Sequence, residues 1–316
     1  MNPSQDFADN NTARDIAYNL YPNSQEITIV EHSYDNIVAL IDTNYAIRFP
    51  RDKNSYARSL HEKHLLRQLE NVKTLEVPRL LGECTYPPYL ITSFVPGRHV
   101  SPSYIHSLSK NQQYNFAKTL AQFAYAMHSA FALDEELLLR KKLKLDELED
   151  GEPWAIYFKE TVKDYHFPTV FQDKIAKKYY KEWVDMCDVT PTVVVHDDLH
   201  TENMMFNDDD ILTGVLDFGD TNVGTPEQEL RQLYRISEDI MLTAVQEYQR
   251  LSGRYLNVEA IKIWSIMKEL ADYSGKLAAK DMGHRAFKRA SRNLNIWIPE
   301  GKWGEGYDLS GSEGHQ

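Results

Sequence analysis

The sequence predicts an α+β fold of two lobes, a small β-rich N-terminal lobe followed by a mostly helical C-terminal lobe. Residues 26–50 contain three short runs rich in β-branched residues, separated by polar turn segments, which indicates an antiparallel meander. After Gly97 the apolar residues recur at helical spacing, as in residues 111–130. This change of period predicts an N-terminal lobe of residues 1–96 and a C-terminal lobe of residues 97–316.

Each element of the smaller lobe follows from a local signal. Residues 11–21 have an amphipathic helical pattern, and helical spacing returns over residues 55–70 after Pro50 ends the meander. Strands are predicted at Ile27–Val30, Ile37–Ile41 and Tyr45–Phe49, and two more fall within residues 77–97, with Pro87 and Pro88 in their turn.

The larger lobe is predicted to be built mainly from amphipathic helices. Its helices are expected at residues 111–130 and 171–187, with an exposed helix or connection at 135–150, and two long helices at 227–251 and 257–280. The chain from about Trp303 onward is rich in glycine and serine, so we expect it to fray.

Composition narrows the range of partners. The 316 residues carry a formal net charge of −12, which argues against non-specific binding to nucleic acid or to an anionic membrane and is compatible with a cationic small molecule. The two cysteines form no CxxC pair, the N-terminus has no apolar signal region, and no run of about 18 apolar residues occurs. We therefore expect a cytoplasmic monomer.

Residues 193–220 contain the strongest chemical signal. The apolar run Val193–Val195 stops at His196, and Asp198, Asn203 and Asp217 follow. Two apolar runs between Asn203 and Asp217 flank a polar, acidic turn, so a hairpin brings these two side chains to one end of paired strands. Their oxygens suit Mg²⁺, and the nearby Asp198 carboxylate can accept a proton from an attacking hydroxyl.

Two other interpretations of this region are weaker. A solvated acidic hairpin with a chance His-x-Asp would not account for the joint spacing of all the polar positions. A metal phosphohydrolase would use His196 and Asp197 as a helical dyad, but the β-branched run Val193–Val195 and Pro191 disfavour a helix there. The spacing therefore favours phosphoryl transfer.

The segments HDDLHTEN (196–203) and LDFGD (216–220) resemble the aminoglycoside phosphotransferase and small-molecule kinase branch of the protein-kinase-like fold. The order of a β-rich lobe, a hinge and a helical lobe agrees over residues 25–300. The segment LDFGDTNVGTPEQEL (216–230) is most similar to that of aminoglycoside 2''-phosphotransferases. The resemblance implies a two-lobed enzyme that uses ATP or GTP to phosphorylate a hydroxyl of an aminoglycoside antibiotic.

The resemblance also implies roles for individual residues around the phosphates. Asp198 would be the catalytic base, and Asn203 and Asp217 would hold Mg²⁺. Arg48 stands where such kinases usually have a lysine that contacts the phosphates, and Glu62 would fix its position. The loop of residues 32–36, which would cover the phosphates, contains no glycine, and Ser33 takes the place of one.

The remaining implied contacts concern the base and the acceptor. The hinge at residues 89–97 would bind the base through the backbone of Ser93 and Val95, with Met205 packed beneath it. Four acidic residues of the C-terminal helices are candidates for binding the ammonium groups of the acceptor, namely Glu238, Asp239, Glu269 and Asp272. The alternatives left open are a macrolide kinase, a metabolite kinase of the choline or sugar type, and a non-catalytic nucleotide-binding pseudokinase.

Overall fold

The first lobe is a twisted antiparallel sheet with helices packed against it. The computed structural model describes residues 7–30, 35–148, 153–161 and 164–304, and the statements below refer to these residues. The strand order is β1-β2-β3-β5-β4, and every neighbouring pair is antiparallel. The strands are β1 Ile27–Val30, β2 Asn36–Ile41, β3 Tyr45–Pro50, β4 Leu80–Thr85 and β5 Pro88–Ser93.

Two helices of this lobe begin at capped N-termini. Helix α1, Asn10–Leu20, begins after Asp9, whose side chain accepts a hydrogen bond from the Thr12 amide, and it packs on β2. Helix α2, Lys53–Gln68, begins with a reciprocal capping box between Asp52 and Ser55. Both helices match their predicted positions to within two residues at each end, as do the predicted strands of the meander.

The second lobe is mostly helical, which confirms the predicted α+β architecture. Its helices are α3 Pro102–Ser107, α4 Lys110–Ala130, α5 Leu133–Leu143, α6 Trp154–Thr161, α7 Val170–Met186, α8 Pro226–Tyr234, α9 Glu238–Ser252, α10 Val258–Ala278 and α11 Arg285–Trp297. Four short strands lie among them, namely β6 Val193–Val195, β7 Met204–Phe206, β8 Leu212–Val215 and β9 Asn222–Gly224.

The structure corrects the prediction at the C-terminal helices. The pattern of residues 227–251 predicted one long helix, whereas α8 ends at Tyr234 and α9 begins after Ser237. Buried apolar residues keep helical spacing across the break, at Leu230, Leu233, Ile240 and Ala244, so periodicity alone did not reveal it. The sequence interpretation also missed α11.

Trp303 is the second correction in this part of the chain. It was predicted to start a fraying tail, but its side chain is 1% exposed, and its indole Nε1–H donates to the carbonyl of Ile298 at 2.9 Å. It packs against Tyr273 in the aromatic core that α7, α10 and α11 share. The rest of that predicted tail, residues 305–316, lies outside the described residues.

The hairpin of β7 and β8 is hydrogen-bonded to the segment before β4 and to the segment after β5. The amide of Glu76 donates to the Thr213 carbonyl at 2.8 Å, and the amide of Arg98 donates to the Phe206 carbonyl, also at 2.8 Å. The predicted pairing of these two strands is confirmed, with Met204 opposite Val215. The hairpin is therefore fixed to the chain that connects the sheet to the helices.

Gly97 permits this close approach. Its φ of +138° is a conformation that residues with a side chain rarely adopt, and a Cβ atom there would lie 2.9 Å from the carbonyl oxygen of Phe206. No helix in the described part of the chain is long and apolar enough to cross a membrane.

We expect Gly97→Ala to lower the free energy of unfolding by about 1–3 kcal/mol, because the new methyl group meets the hairpin backbone and the backbone conformation becomes strained. Urea denaturation followed by circular dichroism measures the change. Gly283→Ala is the matched control, since a Cβ atom at Gly283 has no neighbour within 4 Å. Equal stability of the two variants would contradict the close approach at Gly97.

Candidate active site

The hairpin brings the two predicted metal-binding residues to one end of β7 and β8. Asn203 directly precedes β7 and Asp217 follows β8, and the Leu216 amide donates to the Asn203 carbonyl at 2.8 Å. Asp217 has a φ of +62°, a left-handed conformation that aspartate tolerates better than most residues. Its side chain is half exposed in the cleft between the lobes.

Asp198 lies beside this hairpin end and is held by its neighbours. The Asn203 side-chain Nδ2 donates to the Asp198 carbonyl oxygen at 2.9 Å and to its Oδ2 at 3.0 Å, and His200 Nε2 lies 3.2 Å from the same Oδ2. Enclosure in the cleft would raise the pKa of Asp198, but the hydrogen bond with His200 and nearby positive charges, Lys268 among them, lower it below its usual value. The carboxylate is therefore ionised at neutral pH.

His196 has a structural role in this region. Its side chain is fully buried, its Nε2 lies 2.9 Å from the Leu216 carbonyl oxygen, and its ring packs on Phe218 at 4.9 Å between centroids. The ring therefore joins the loop that carries Asp198 to the segment that carries Asp217.

Helix α8 supports the loop from beneath through Glu229. Its carboxylate accepts hydrogen bonds from the backbone amides of His196 at 2.5 Å and of Asp197 at 3.3 Å. Burial alone would raise the pKa of Glu229, but the hydrogen bond with His128 and the nearby histidine charges lower it. A buried carboxylate is thus kept charged where two amides need an acceptor.

Asp197 is the second contact between α8 and the loop, and the sequence interpretation assigned it no role. Its side chain is buried, with Oδ1 2.7 Å from Arg231 Nη1 and 3.0 Å from Gln228 Nε2. The Asp197 carbonyl accepts from Arg231 Nη2 at 2.8 Å. Glu229 and Arg231 were missed, although residues 226–232 combine a helix-starting proline with closely spaced charged residues.

Arg48 on β3 forms the opposite wall of the cleft. It makes an ion pair with Glu62 of α2, as predicted, and its Nη2 lies 3.6 Å from Asp217 Oδ1. The Glu62 side chain is 2% exposed and the Arg48 side chain 18% exposed, so the pair has little freedom to reorient. One guanidinium thus faces the part of the cleft that contains Asp217 from the sheet side.

The predicted base-binding residues lie along β5 and the hinge. The amide of Ser93 donates to the Arg79 carbonyl at 2.9 Å, so this amide is already used within the lobe. Val95 and Met205 are both buried, and Val95 packs against the hairpin that contains Met205, where a Cβ atom on Gly214 would be 2.4 Å from Val95 Cγ1. Ser33 lies outside the described residues.

The oxygen-rich end of the hairpin fits a hard divalent cation. Asn203 uses its Nδ2 on Asp198, which leaves its side-chain oxygen for a cation. The pKa of Asp220 is raised to about 7, because the cleft shields it from water and the carboxylates of Asp198 and Asp217 repel its charge. A bound cation would offset the repulsion among these carboxylates.

The residues of this end suit Mg²⁺ in particular. Within the described part of the chain, no group of three or more His, Cys, Asp or Glu side chains forms a complete metal site. Mg²⁺ is commonly held by one or two protein side chains, with substrate phosphates and water completing its shell, so Asn203 and Asp217 are sufficient.

The four predicted acceptor-binding carboxylates all have cationic partners. Glu238 pairs with Lys262 at 2.7 Å and Asp239 with Lys110 at 3.2 Å, and neither lines the cleft that contains Asp198.

The other two carboxylates lie close to that cleft. Glu269 is buried beneath it, 2.7 Å from Arg235 Nε and 3.4 Å from Arg289 Nε. Asp272 lines the cleft and is paired with Lys268 and Arg289. The carboxylates expected to bind ammonium groups therefore already have partners within the protein.

This chain resembles known proteins in its sequence profile and in its fold. The profile of a family described as the phosphotransferase enzyme family (APH) matches residues 26–261. No curated protein sequence matches the chain.

Solved structures share the fold. The GDP complex of wild-type aminoglycoside 2'-phosphotransferase-IIIa is similar at 17% identity and a TM-score of 0.71, over 93% of this chain and 99% of that one. The streptomycin–ATP–APH(2")-IIa ternary complex is similar at 19% identity and a TM-score of 0.62, over 86% and 97%. Macrolide 2'-phosphotransferase MphH from Brachybacterium faecium is similar at 18% identity and a TM-score of 0.61, over 89% of this chain and 98% of that one. The predicted protein-kinase-like fold is thereby confirmed.

We expect Arg231→Met to lower the free energy of unfolding by about 3–5 kcal/mol, since it leaves the buried carboxylate of Asp197 without its cation. Chemical denaturation measures the loss, and Lys144→Met, which removes an exposed ion pair with Glu147, should cost less than about 1 kcal/mol. Adding Asp197→Asn to Arg231→Met should restore part of the stability. A double variant no more stable than the single variant would argue against the charge explanation.

Proposed function

The chain belongs to the phosphotransferase enzyme family, and we propose that it transfers the γ-phosphate of ATP or GTP to a hydroxyl group of a small molecule. The observation that carries this proposal is the convergence of Asp198, Asn203 and Asp217 in one cleft, with Arg48 on its opposite wall. Phosphoryl transfer is mostly positioning and neutralisation of phosphate charge, and this arrangement supplies both.

Asp198 would orient the acceptor and take its proton. Its Oδ2 is occupied by Asn203 and His200, which leaves Oδ1 to accept a hydrogen bond from the acceptor hydroxyl. The hydroxyl oxygen forms a bond to the γ-phosphorus as the bond from that phosphorus to the β–γ bridging oxygen breaks, and the hydroxyl proton passes to Asp198. Because its pKa is lowered, Asp198 stays ionised until the new bond is well advanced.

The phosphates would be held by groups from both lobes. Arg48, fixed by Glu62, would donate to phosphate oxygens from the sheet side. Asn203 and Asp217 would hold Mg²⁺, whose contribution is to neutralise charge on the phosphate oxygens. The base would lie against Val95 and Met205 at the hinge, where the described residues provide no other hydrogen-bond partner for the Val95 backbone.

Two antibiotic classes are candidate acceptors by similarity. The fold shared with aminoglycoside phosphotransferases supports the aminoglycoside predicted from the sequence, and the likeness to the macrolide enzyme supports a macrolide. The internal ion pairs of Glu238, Asp239, Glu269 and Asp272 weigh against an aminoglycoside, because those carboxylates are already neutralised. Incubation with Mg²⁺, ATP or GTP, and members of both classes tests each acceptor directly.

Asp198→Asn should lower kcat by about 10²–10⁴-fold, because the proton acceptor is lost, while the affinity for nucleotide stays unchanged. A coupled assay for nucleoside diphosphate release gives the rate, and a fluorescent nucleotide analogue gives the affinity. Asp209→Asn, in the exposed turn of the hairpin, is the control and should behave as the native enzyme. Undiminished turnover by Asp198→Asn would exclude it as the base.

Arg48→Gln should weaken nucleotide binding by about tenfold or more, since a charge-assisted contact to phosphate is removed. The measurement is titration with a fluorescent nucleotide in the presence of Mg²⁺. Lys63→Gln, which alters a lysine of α2 that pairs with Glu83 instead, provides the comparison. If both variants bind nucleotide equally well, the role assigned to Arg48 is wrong.

A further inference from the structure

Helix α11 has a charge that contrasts with the rest of the chain. The protein as a whole carries a formal net charge of −12, yet this helix contains four cationic residues and no acidic one. The cations are Arg285, Lys288, Arg289 and Arg292. Two of them, Arg285 and Arg289, line the cleft that contains Asp198.

Other helices add cations to the same side of that cleft. Arg235 lies at the end of α8, and Lys268 and Lys276 lie on α10. We refer to Arg235, Lys268, Lys276, Arg285 and Arg289 together as the cationic wall. The wall and Asp198 share one cleft of about 620 Å³, and Trp154 and Tyr157 of α6 provide an apolar surface beside it.

Fewer carboxylates than cations are present at the wall. Asp272 pairs with Lys268 and Arg289, Glu269 with Arg235 and Arg289, and Glu202 with Arg285. In the described part of the chain, Lys276 makes no ion pair. Five cations thus face these three carboxylates and Asp198, which lines the same cleft, and the wall keeps an excess of positive charge.

Arg235 carries a donor that the protein does not satisfy. Its side chain is only 9% exposed, and although its Nη1 donates to Gln232 at 2.6 Å, its buried Nη2 has no hydrogen-bond partner among the described residues. A buried guanidinium nitrogen without an acceptor costs free energy that an anionic ligand would recover.

The electrostatics agree with this excess. Burial lowers the pKa of Lys268, and repulsion by Arg235 and Arg289 lowers it further against the attraction of Asp272. Burial also lowers the pKa of Arg235, to which repulsion from Arg289 and Arg231 adds, despite the opposing attraction of Glu269. The positive charges of the wall therefore repel one another, and an added negative charge would stabilise them.

The wall is close enough to Asp198 to position an acceptor. Lys268 and Arg289 line the same cleft as Asp198. A small molecule bound at the wall can therefore place a hydroxyl at Asp198. A molecule that carries ammonium groups would meet repulsion at the same surface.

We propose that the acceptor of this kinase is a hydroxyl compound that bears an anionic group, a carboxylate or a phosphate, and that the cationic wall binds this group while the hydroxyl meets Asp198. The inference rests on the proposed function and names its substrate class. Arg289 and Arg235 would hold the anionic oxygens through guanidinium hydrogen bonds, and Lys276 would add a third positive charge.

The experiment compares small polyols that differ mainly in charge. The six-carbon series is glucose, glucosamine, gluconate and glucose 6-phosphate, and the three-carbon series is glycerol, 3-amino-1,2-propanediol, glycerate and glycerol 3-phosphate. Binding is measured by calorimetry at constant ionic strength, with a non-hydrolysable nucleoside triphosphate and Mg²⁺ saturating the nucleotide site. Phosphorylation of each compound is measured in parallel with ATP and with GTP.

We expect an anionic member of at least one series to bind more tightly than its neutral and cationic counterparts. The carboxylate and phosphate arms then identify the preferred anion. Arg289→Gln should weaken that binding by about tenfold or more. Lys288→Gln also removes one positive charge from the same helix, but Lys288 lies outside the cleft, so this variant should bind as the native protein does. Lys276→Gln is a second variant, in case Arg289→Gln fails to fold.

The outcomes separate this inference from the proposed function. If the cationic or neutral compounds bind more tightly, or if no anionic compound binds, the proposal of an anionic acceptor is wrong. Phosphorylation of another compound would then still support the proposed kinase function. If an anionic compound binds in a manner that depends on Arg289, but the protein neither binds nucleotide nor transfers phosphate, the anion-binding site is supported and the kinase function is rejected. Weaker nucleotide binding by Arg289→Gln, with no effect on the anionic compounds, would assign the wall to the nucleotide phosphates and overturn the inference.

Discussion

The loop that carries Asp198 depends on one buried carboxylate beneath it. Glu229 accepts hydrogen bonds from the amides of His196 and Asp197, and the same turn of α8 also supplies Arg231, which neutralises Asp197. These bonds fix the backbone immediately before Asp198, so the position of Asp198 follows from α8 packing rather than from its own contacts alone. Loops near chemistry gain precision when the groups behind them are rigid, and here the rigid element is a helix that is buried along most of its length.

The sequence predicted the parts of the fold whose signals are local. The meander, α1, α2, α4 and the β7–β8 hairpin follow from hydrophobic period, turn residues and caps, and all of them are present. The spacing along the chain also predicted that Asn203 and Asp217 lie close together, because a hairpin places residues that are far apart in the sequence next to each other. The break between α8 and α9 escaped prediction, since it arises where the two helices turn to pack on different neighbours, α8 on α10 and α9 on α4.

The acceptor side was less predictable for a physical reason. Glu269 and Asp272 stood out in the sequence as acidic residues on a helix, but their partners Arg235 and Arg289 lie 34 and 17 or more positions away on other helices. Whether a carboxylate is available to a ligand depends on such distant partners, which no local pattern reveals. The cations of α11 were visible in the sequence, but only the structure shows that two of them line the same cleft as Asp198.

The hydrogen bonds from the β7–β8 hairpin to Glu76 and Arg98 have a consequence for opening of the cleft. They attach the hairpin, at Phe206 and Thr213 near its turn, to the segments before β4 and after β5. The pairing of β7 with β8 would keep Asn203 and Asp217 at a constant separation during any hinge motion. The 3.6 Å contact between Arg48 Nη2 and Asp217 Oδ1 joins β3 to the segment after β8, so such a motion would lengthen it.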